Sequence, residues 1–312
     1  MTEPAAPGGA DPLAPVRSGF VALVGRPNAG KSTLVNAAVG AKVAITSDTP
    51  QTTRHRLRAV LDRDDAQVVF VDTPGLHKPL DALGEELNRS SLLALGDVDV
   101  ACLVIDASAE VGRGDEWVAK RVAAAPGAKR VLVLTKADLV APEVLERRLD
   151  AARALCEFDD AVVVSATEGF NVDGFVQVVV RLLPEGPRYF PRDVTTDQPI
   201  EVMLAEFIRE KVLRAMRDEV PHAVGVAIEE IDVTEATGMV TIRAVVYVER
   251  ESQKGMIVGK GGAMIKRIGT EARADLERLL GGKVFLDLRV KVRKDWRRDS
   301  SQIRRFGYGE GL

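Results

Sequence analysis

The stretch Gly25-Arg26-Pro27-Asn28-Ala29-Gly30-Lys31-Ser32 decides the fold, because it matches the pattern G-x-x-x-x-G-K-[ST]. A short apolar run at residues 20–24 precedes it, and a helical pattern at residues 31–39 follows it. A strand, a glycine-rich turn and a helix in this order form a phosphate-binding loop. The glycines let successive backbone N–H groups wrap a phosphate at the positive end of the helix. This context disfavours a chance glycine turn.

Two side chains of this loop have predicted chemical roles. Lys31 is expected to reach the β- and γ-phosphates of a nucleotide, and the Ser32 hydroxyl is expected to ligate Mg²⁺. Thr33, the next residue, completes the predicted phosphate site. Nucleotide binding is therefore the first functional prediction.

Strand-like and helical patterns alternate from residue 19 to about residue 183. The strand-like runs are rich in Val, Leu and Ile, and they lie at residues 20–24, 68–71, 101–105, 130–134 and 161–164. Nearly continuous apolar strands indicate a sheet covered on both faces, hence a doubly wound, mostly parallel α/β domain. Residues 57–62 and 67–71, with Asp64 and Asp65 between them, predict one antiparallel edge hairpin.

The second half of the chain has a different pattern. Prolines and glycines interrupt residues 184–198, which are predicted to be a linker without regular structure. A helix, two strands, two helices around a glycine-rich turn, and a last strand follow, which predicts a small α+β domain. The predicted boundaries are a disordered tail at 1–17, the nucleotide domain at 18–183, the linker at 184–198 and the second domain at 199–312.

A second motif, Asp72-Thr73-Pro74-Gly75, follows a predicted strand. The aspartate can hold Mg²⁺ through water, and the Gly75 N–H is open to a γ-phosphate, whose loss would release the loop. Upstream, Thr53 in Gln51-Thr52-Thr53-Arg54 is predicted to ligate Mg²⁺ and to sense the γ-phosphate. Two adjacent threonines alone would indicate an exposed turn, but the motifs on either side favour the sensor.

The residues Thr135-Lys136-Ala137-Asp138 predict a preference for guanine. The Asp138 carboxylate can accept hydrogen bonds from guanine N1–H and the exocyclic amine, a pair that adenine lacks. Lys136 can lie over the base, and the backbone at Ser165 and Ala166 can contact the base oxygen. The predicted nucleotide site comprises Gly25, Arg26, Pro27, Asn28, Ala29, Gly30, Lys31, Ser32, Thr33, Asp72, Thr73, Pro74, Gly75, Thr135, Lys136, Asp138, Ser165 and Ala166, with Ser32, Thr53 and Asp72 on the metal.

A G-x-x-G turn, Gly259-Lys260-Gly261-Gly262, lies between two helical patterns in the second domain. Its glycines let a nucleotide backbone approach, and Lys260 adds a positive charge for a phosphate. A bare G-x-x-G is also common in ordinary helix–helix turns. The order of elements around it favours a K-homology (KH) domain of the bacterial type II, with Ile257, Val258, Ile265 and Ile268 lining an apolar groove for bases.

The net charge of −3 gives no overall sign of nucleic-acid binding, so a basic surface must be local. The predicted RNA-binding residues are Gly259, Lys260, Gly261, Gly262, Lys266, Lys291 and Arg293. Further basic residues follow at Lys294, Arg297, Arg298, Arg304 and Arg305. They form either a phosphate track or a solvated face, and Trp296 and Phe306 either stack on bases or pack on the sheet. Two cysteines fit a reducing cytosol.

The motifs in this order resemble those of the translation-factor-related GTPases, GxxxxGK[ST]…T…DxPG…[NT]KxD…SA. Thr135 departs from the asparagine common in that family, and Leu76 stands where Ras-like proteins have a water-orienting glutamine. The resemblance gives Asn28 the role of a K⁺ ligand that offsets developing charge, with the Ser47 and Thr49 carbonyls beside it; a simple turn-stabilising role is the alternative. The expected catalytic contributors are Lys31, Thr53, Gly75 and Asn28, with GTP/GDP, Mg²⁺ and K⁺ as ligands.

The segments Gln51-Thr52-Thr53-Arg54-His55-Arg56 and Asp72-Thr73-Pro74-Gly75-Leu76-His77, together with the G-x-x-G turn, resemble the Era family of GTPases. This resemblance implies a cytoplasmic, monomeric GTPase that binds the 3′ end of 16S rRNA and acts in assembly of the 30S ribosomal subunit. It also implies a peripheral membrane association, for which the sequence supplies no anchor. The alternatives are a GTP-stabilised RNA clamp with incidental hydrolysis and a membrane-associated cell-cycle signalling GTPase.

Overall fold

The chain forms two domains in a computed structural model, which describes residues 16–234, 236 and 238–308. The strands of the first domain are β1 (Val16–Gly25), β2 (Leu57–Asp62), β3 (Ala66–Asp72), β4 (Val100–Asp106), β5 (Lys129–Thr135), β6 (Asp160–Val163) and β7 (Glu185–Gly186). Its helices are α1 (Lys31–Val39), α2 (Ala82–Leu93), α3 (Arg113–Ala123), α4 (Pro142–Arg153) and α5 (Val172–Leu182).

The first sheet has the order β2-β3-β1-β4-β5-β6, and β7 pairs with β1. All its pairings are parallel except those of β2 with β3 and of β7 with β1. One buried apolar cluster lies under α1 and α5, and another lies under α3 and α4 on the opposite face. The predicted doubly wound sheet and its antiparallel edge hairpin are thus confirmed. The strand order reverses at β1, where ligands bind in such folds.

The segment predicted as a linker contains more structure than its composition suggests. It forms the short strand β7, and it continues along the β2–β3 hairpin, where the Val60 N–H donates to the Thr195 carbonyl. The Gln67 side chain also bonds the backbone of Tyr189 and Phe190. The end of the predicted tail also differs, because β1 begins at Val16; residues 1–15 lie outside the described residues.

The second domain places three helices against a three-stranded sheet. Its elements are α6 (Ile200–Ala215), the short α7 (Val220–Ala223), β8 (Gly225–Thr234), β9 (Met239–Val248), α8 (Glu251–Val258), α9 (Ala263–Leu280), β10 (Val284–Val292) and α10 (Ser300–Arg305). The sheet order is β10-β9-β8, with β10 parallel and β8 antiparallel to β9. The predicted order of elements is confirmed. Among the described residues, no helix is long and apolar enough to cross a membrane.

The end of the chain joins the two domains through an aromatic cluster. Trp296, Phe306 and Tyr308 are all at most 6% exposed, and they pack with Leu83 and Leu87 of α2. The Trp296 indole N–H donates to the Ala223 carbonyl at 2.9 Å. The proposal that Trp296 and Phe306 stack on bases is therefore wrong, and the packing alternative is confirmed. Residues 309–312 of the basic tail lie outside the described residues.

Candidate functional site: a nucleotide cleft and an RNA-binding turn

A cleft of about 260 Å³ opens beside the loop that joins β1 to α1. Its lining comes from the loop itself, from the segment between α1 and β2, and from two residues on neighbouring loops, Gly75 and Lys136. The strands that carry these loops are parallel, so their carboxyl ends meet at one edge of the sheet. The fold therefore brings the phosphate-binding loop, Thr53, Gly75 and Lys136 together around one cavity.

Backbone geometry shapes the phosphate-binding loop. Gly30 has φ 82° and caps α1, a left-handed conformation that side chains disfavour. The Lys31 ammonium lies 3.3 Å from the Gly25 carbonyl and 3.0 Å from the Arg26 carbonyl, inside the loop. Burial lowers the pKa of Lys31 to about 8, although the nearby Asp72 carboxylate opposes the shift. A buried ammonium beside the backbone N–H groups at the start of a helix forms a site that favours phosphate oxygens.

The three predicted metal ligands form a compact triangle. The Ser32 hydroxyl lies 2.8 Å from the Thr53 hydroxyl and 2.5 Å from Asp72 Oδ2, and the Thr53 hydroxyl lies 3.5 Å from the same oxygen. Within the described part of the chain, the buried Asp72 Oδ1 has no hydrogen-bond partner. Burial raises the pKa of Asp72, while Lys31 and the two hydroxyls lower it. An all-oxygen set with an orphaned carboxylate oxygen fits Mg²⁺.

The loop after β3 touches the phosphate-binding loop directly. A Cβ on Gly75 would lie 2.5 Å from the Pro27 Cα and N atoms, so only glycine fits there. Leu76, next in sequence, donates its N–H to the Gly25 carbonyl and buries its side chain in the core. The Thr73 hydroxyl is also buried and donates to the Leu23 carbonyl, so this side chain supports the loop. The place of Thr73 in the nucleotide site stays a prediction, and its buried side chain leaves only the backbone for such a contact.

Two further loops form the predicted base site. Thr135 is buried and donates its hydroxyl to the Ala29 carbonyl at 2.7 Å, which ties the base loop to the phosphate loop. The Lys136 ammonium bonds Asp106 at 2.6 Å, and Asp138 is exposed. The Ser165 N–H donates to the Phe170 carbonyl and is therefore occupied, while the contact of the Ala166 N–H with the base oxygen stays a prediction.

Two side chains of the loop make contacts that the motif alone did not indicate. The Arg26 guanidinium lies 3.3 Å from Asp115 on α3, and Arg26 does not line the cleft, so its nucleotide contact stays a prediction. The Asn28 amide donates to the Asp48 carbonyl at 2.6 Å, and Asn28 has φ 63°. The left-handed φ of Asn28 agrees with the turn-stabilising alternative, and the bond places its side chain against the segment between α1 and β2. K⁺ binding by Asn28 stays a prediction.

Gln51 and His77 are functional candidates that sequence reasoning missed. Gln51 lines the cleft with φ 63°, a conformation that a bulky residue adopts only when its surroundings impose it. Its side-chain Nε2 lies 2.5 Å from His77 Nε2, and the other ring nitrogen contacts the Gly75 carbonyl. The contact joins the segment before β2 to the loop after β3. No local pattern indicates such a pair.

The G-x-x-G turn has the geometry that an RNA backbone requires. Gly259, Gly261 and Gly262 have φ values of 72°, 58° and 78°, and Lys260 is exposed. Gly262 caps α9, so the positive end of this helix faces the turn. Of the four residues predicted to line the groove, Ile257 and Ile268 are fully buried in the core. These two residues cannot contact bases, because their side chains pack in the hydrophobic core against the sheet.

Several predicted basic contacts are already paired with acids. Lys291 lies 2.7 Å from Glu229, and Arg297 bonds both Glu249 and Asp81. Arg297 therefore links the domains and is not part of a phosphate track. Lys266 is exposed and Arg293 is half-buried. The RNA-binding roles of Lys266, Lys291 and Arg293 stay predictions.

A phosphate-binding loop, a metal triad and a guanine-type loop on a doubly wound sheet define a P-loop GTPase, here followed by a KH domain. A family model described as a 50S ribosome-binding GTPase matches residues 20–136, and a KH domain model matches residues 219–297. Two solved structures are each 37% identical to this chain, with a TM-score of 0.91. Each match covers 95% of this chain and 100% of the solved chain. One is a variant of Aquifex aeolicus Era bound to GDP.AlF4⁻, and the other is Era with MgGDPNP and nucleotides 1506–1542 of 16S ribosomal RNA.

The chain belongs to the Era family of GTPases. The resemblance that the sequence motifs indicated is thereby confirmed over both domains.

Proposed function

We propose that this protein is a GTP-hydrolysing switch that binds the 3′ end region of 16S rRNA and acts in maturation of the 30S subunit. One observation carries the proposal: a single chain holds a cleft lined by the phosphate-binding loop and Thr53, and an exposed Lys260 in a left-handed glycine turn. The similarity to an Era structure that contains both MgGDPNP and this RNA region supports the pairing of the two ligands.

In this proposal each residue of the cleft has a chemical task. The loop N–H groups and Lys31 bind the phosphates, and Asp138 selects guanine. Ser32, Thr53 and Asp72 hold Mg²⁺, which when bound neutralises charge on the β- and γ-phosphates. Gly75 contacts the γ-phosphate through its N–H, since no side chain intervenes. Loss of that phosphate releases the segments that carry Thr53 and Gly75.

A passive RNA clamp is the second candidate, and the buried Leu76 favours it, because this side chain cannot orient a water. The Gln51–His77 contact is the polar feature closest to replacing that function. As to partners and place, we propose a monomer that works on the 30S subunit in the cytoplasm. A peripheral membrane association has no supporting feature among the described residues.

The affinity for a 16S rRNA 3′-end oligonucleotide, measured with a non-hydrolysable GTP analogue and with GDP, tests the proposal. We expect tighter RNA binding with the GTP analogue, by about tenfold, a typical coupling between two sites. A Lys31→Ala variant should lose this difference, while an Arg113→Ala variant at the start of α3, away from the cleft, should keep it. Equal RNA affinity in both nucleotide states would leave only the clamp.

A further inference from the structure

The segment that carries the predicted γ-phosphate sensor, Thr53, is held from both sides by the second domain. Thr53 contacts Ser32 and Asp72, the other two members of the metal triad, whereas the Thr52 carbonyl and the Arg54 side chain face the second domain. The Thr52 carbonyl accepts a hydrogen bond from Arg209 of α6, and the Arg54 side chain enters the second domain and is 1% exposed. The placement of Thr53 over the cleft thus depends on contacts made outside the nucleotide domain.

Arg54 occupies a socket built from the backbone and aromatic rings of the second domain. Its guanidinium donates to the Val224 carbonyl at 2.5 Å, to the His222 carbonyl at 3.1 Å and to the Pro221 carbonyl at 3.4 Å. The guanidinium carbon lies 5.7 Å from the Trp296 ring centre and 5.3 Å from that of Tyr308. A planar, multidentate cation suits this socket, which fixes both its position and its orientation.

Arg209 makes the second contact between the second domain and the segment that carries Thr53. It is fully buried, and it pairs with the Glu206 carboxylate through two nitrogens at 2.7 and 2.5 Å while bonding the Thr52 carbonyl. Burial alone would raise the pKa of Glu206, but the charge and hydrogen bonds of Arg209 outweigh it, and the pKa lies well below its usual range. Glu206 stays ionised, so Arg209 keeps its geometry. His55 lies 3.6 Å from the same carboxylate.

Because Arg54 and Arg209 are both buried cations, we expect the segment that carries Thr53 to have two alternative positions and no stable intermediate one. Arg54 and Arg209 are both buried, and their guanidinium groups are charged at neutral pH. A buried charge that loses its acceptors costs several times more than an exposed one. Small displacements of the segment are therefore unfavourable, and the segment is either seated in the second domain or withdrawn from it.

We infer that Arg54 and Arg209 are positioning residues for GTP hydrolysis, by which the KH domain and the C-terminal aromatic cluster hold Thr53 against the metal–phosphate site. This inference rests on the proposed role of Thr53. It assigns the second domain a task in the nucleotide cleft that is separate from RNA binding. The second domain thus positions a residue of the nucleotide cleft in the same chain.

The readout that separates positioning from mere structural support is the preference for a non-hydrolysable GTP analogue over GDP, measured without RNA. Only the GTP analogue offers a γ-phosphate and a metal geometry that Thr53 can complete. In Arg54→Met we expect the preference to fall by about tenfold, the value of one charge-assisted hydrogen bond, with GDP affinity changed by less than about twofold. Arg58→Met is the matched control, because Arg58 pairs with Asp197 and does not line the cleft, so both affinities should be kept.

A double-mutant cycle with Thr53→Ala completes the experiment. If Arg54 acts through Thr53, adding Arg54→Met to Thr53→Ala changes the preference by less than about twofold. Additive losses, or an unchanged preference in a folded Arg54→Met protein, would overturn the inference. Should Arg54→Met fail to fold, Arg54→Lys replaces it, since lysine keeps the charge but cannot reach three carbonyls; it should show a smaller loss in the same direction, and no loss would overturn the inference.

The same cycle distinguishes the inference from the proposed function. If Thr53→Ala alone leaves the preference for the GTP analogue unchanged, then Thr53 is not the sensor and that part of the proposed function fails. If Thr53→Ala lowers the preference and Arg54→Met does not, then the sensor stands and only the positioning role is lost.

Discussion

Replacing Thr135 by valine tests how this chain compensates for the asparagine common at this position in related GTPases. The Thr135 hydroxyl lies 2.7 Å from the Ala29 carbonyl and 3.1 Å from the Ile105 carbonyl. One hydroxyl proton serves only one carbonyl at a time, and the shorter contact is to the phosphate loop. Valine keeps the shape of the side chain, so the substitution removes this bond with little change in packing.

The magnitude follows from the burial of the site. Thr135 is 2% exposed, so valine leaves the Ala29 carbonyl without its buried donor, a loss of about 1–2 kcal/mol. The Thr135 side chain also backs Gly30, whose Cβ position lies 3.4 Å from the hydroxyl oxygen. Loosening this contact affects the loop that wraps the phosphates. We expect the Kd for GDP to rise by about 5- to 30-fold.

A fluorescent GDP analogue titrated against the wild type, Thr135→Val and Thr135→Ser measures this effect. The serine variant keeps the hydroxyl and should bind within about threefold of the wild type, because it loses only a methyl group. A valine variant that binds as tightly as the wild type would refute the reasoning. So would a valine variant that loses thermal stability alone, because the hydroxyl would then support the fold and not the nucleotide.

Three further outcomes follow from the structure. Gly75→Ala should lower GTP turnover by about tenfold or more while GDP still binds, because its methyl group would meet Pro27 at 2.5 Å; single-turnover kinetics checks this. Lys260→Glu should weaken RNA binding at every sequence and reduce its salt dependence by about one unit of log–log slope, which titrations at several salt concentrations measure. Burial would raise the pKa of Asp275, but hydrogen bonds and charges from Lys211 and Lys42 outweigh it and lower this pKa from 3.8 to about 2. The stabilisation by Asp275 is therefore present above pH 3.8 and is lost as the pH falls towards 2. Urea midpoints should fall more steeply over this range in the wild type than in Asp275→Asn.

Elements with a strong local pattern were predictable from sequence. β2 occupies its predicted range, residues 57–62, and α1 occupies its predicted range, residues 31–39. The proximity of Ser32 and Asp72 was also predictable, since each belongs to a motif at the carboxyl end of a strand. Motifs at the ends of parallel strands meet at one edge of the sheet, so their order along the chain already implies their proximity.

Contacts between distant parts of the chain were not predictable. Arg54 was visible only as part of a polar stretch, and its socket lies about 170 residues away. Arg209 and Glu206 belong to a helix whose pattern indicates only amphipathic packing. Burial converts these charges into specific partners, and burial depends on how the two domains meet. The same reason explains why Trp296 and Phe306 pack inside and do not face RNA.

Asn28 faces the segment before β2, and its predicted role as a K⁺ ligand would make GTP turnover depend on the monovalent cation. Its amide already bonds the Asp48 carbonyl, so a K⁺ ion on Asn28 would lie between the phosphate-binding loop and the segment between α1 and β2. Such an ion would offset the negative charge that develops during phosphoryl transfer. Sodium, with its smaller radius, should serve poorly.

GTP turnover with and without a 16S rRNA 3′-end oligonucleotide, in potassium and again in sodium buffer, tests most directly whether the two domains work as one switch. Intrinsic turnover should be slow, on the order of 10⁻⁴ to 10⁻² per second. The RNA should accelerate it, and the acceleration should be larger in potassium. Turnover that is the same with and without RNA, in either cation, would contradict the coupling and leave a nucleotide domain and an RNA clamp that act independently.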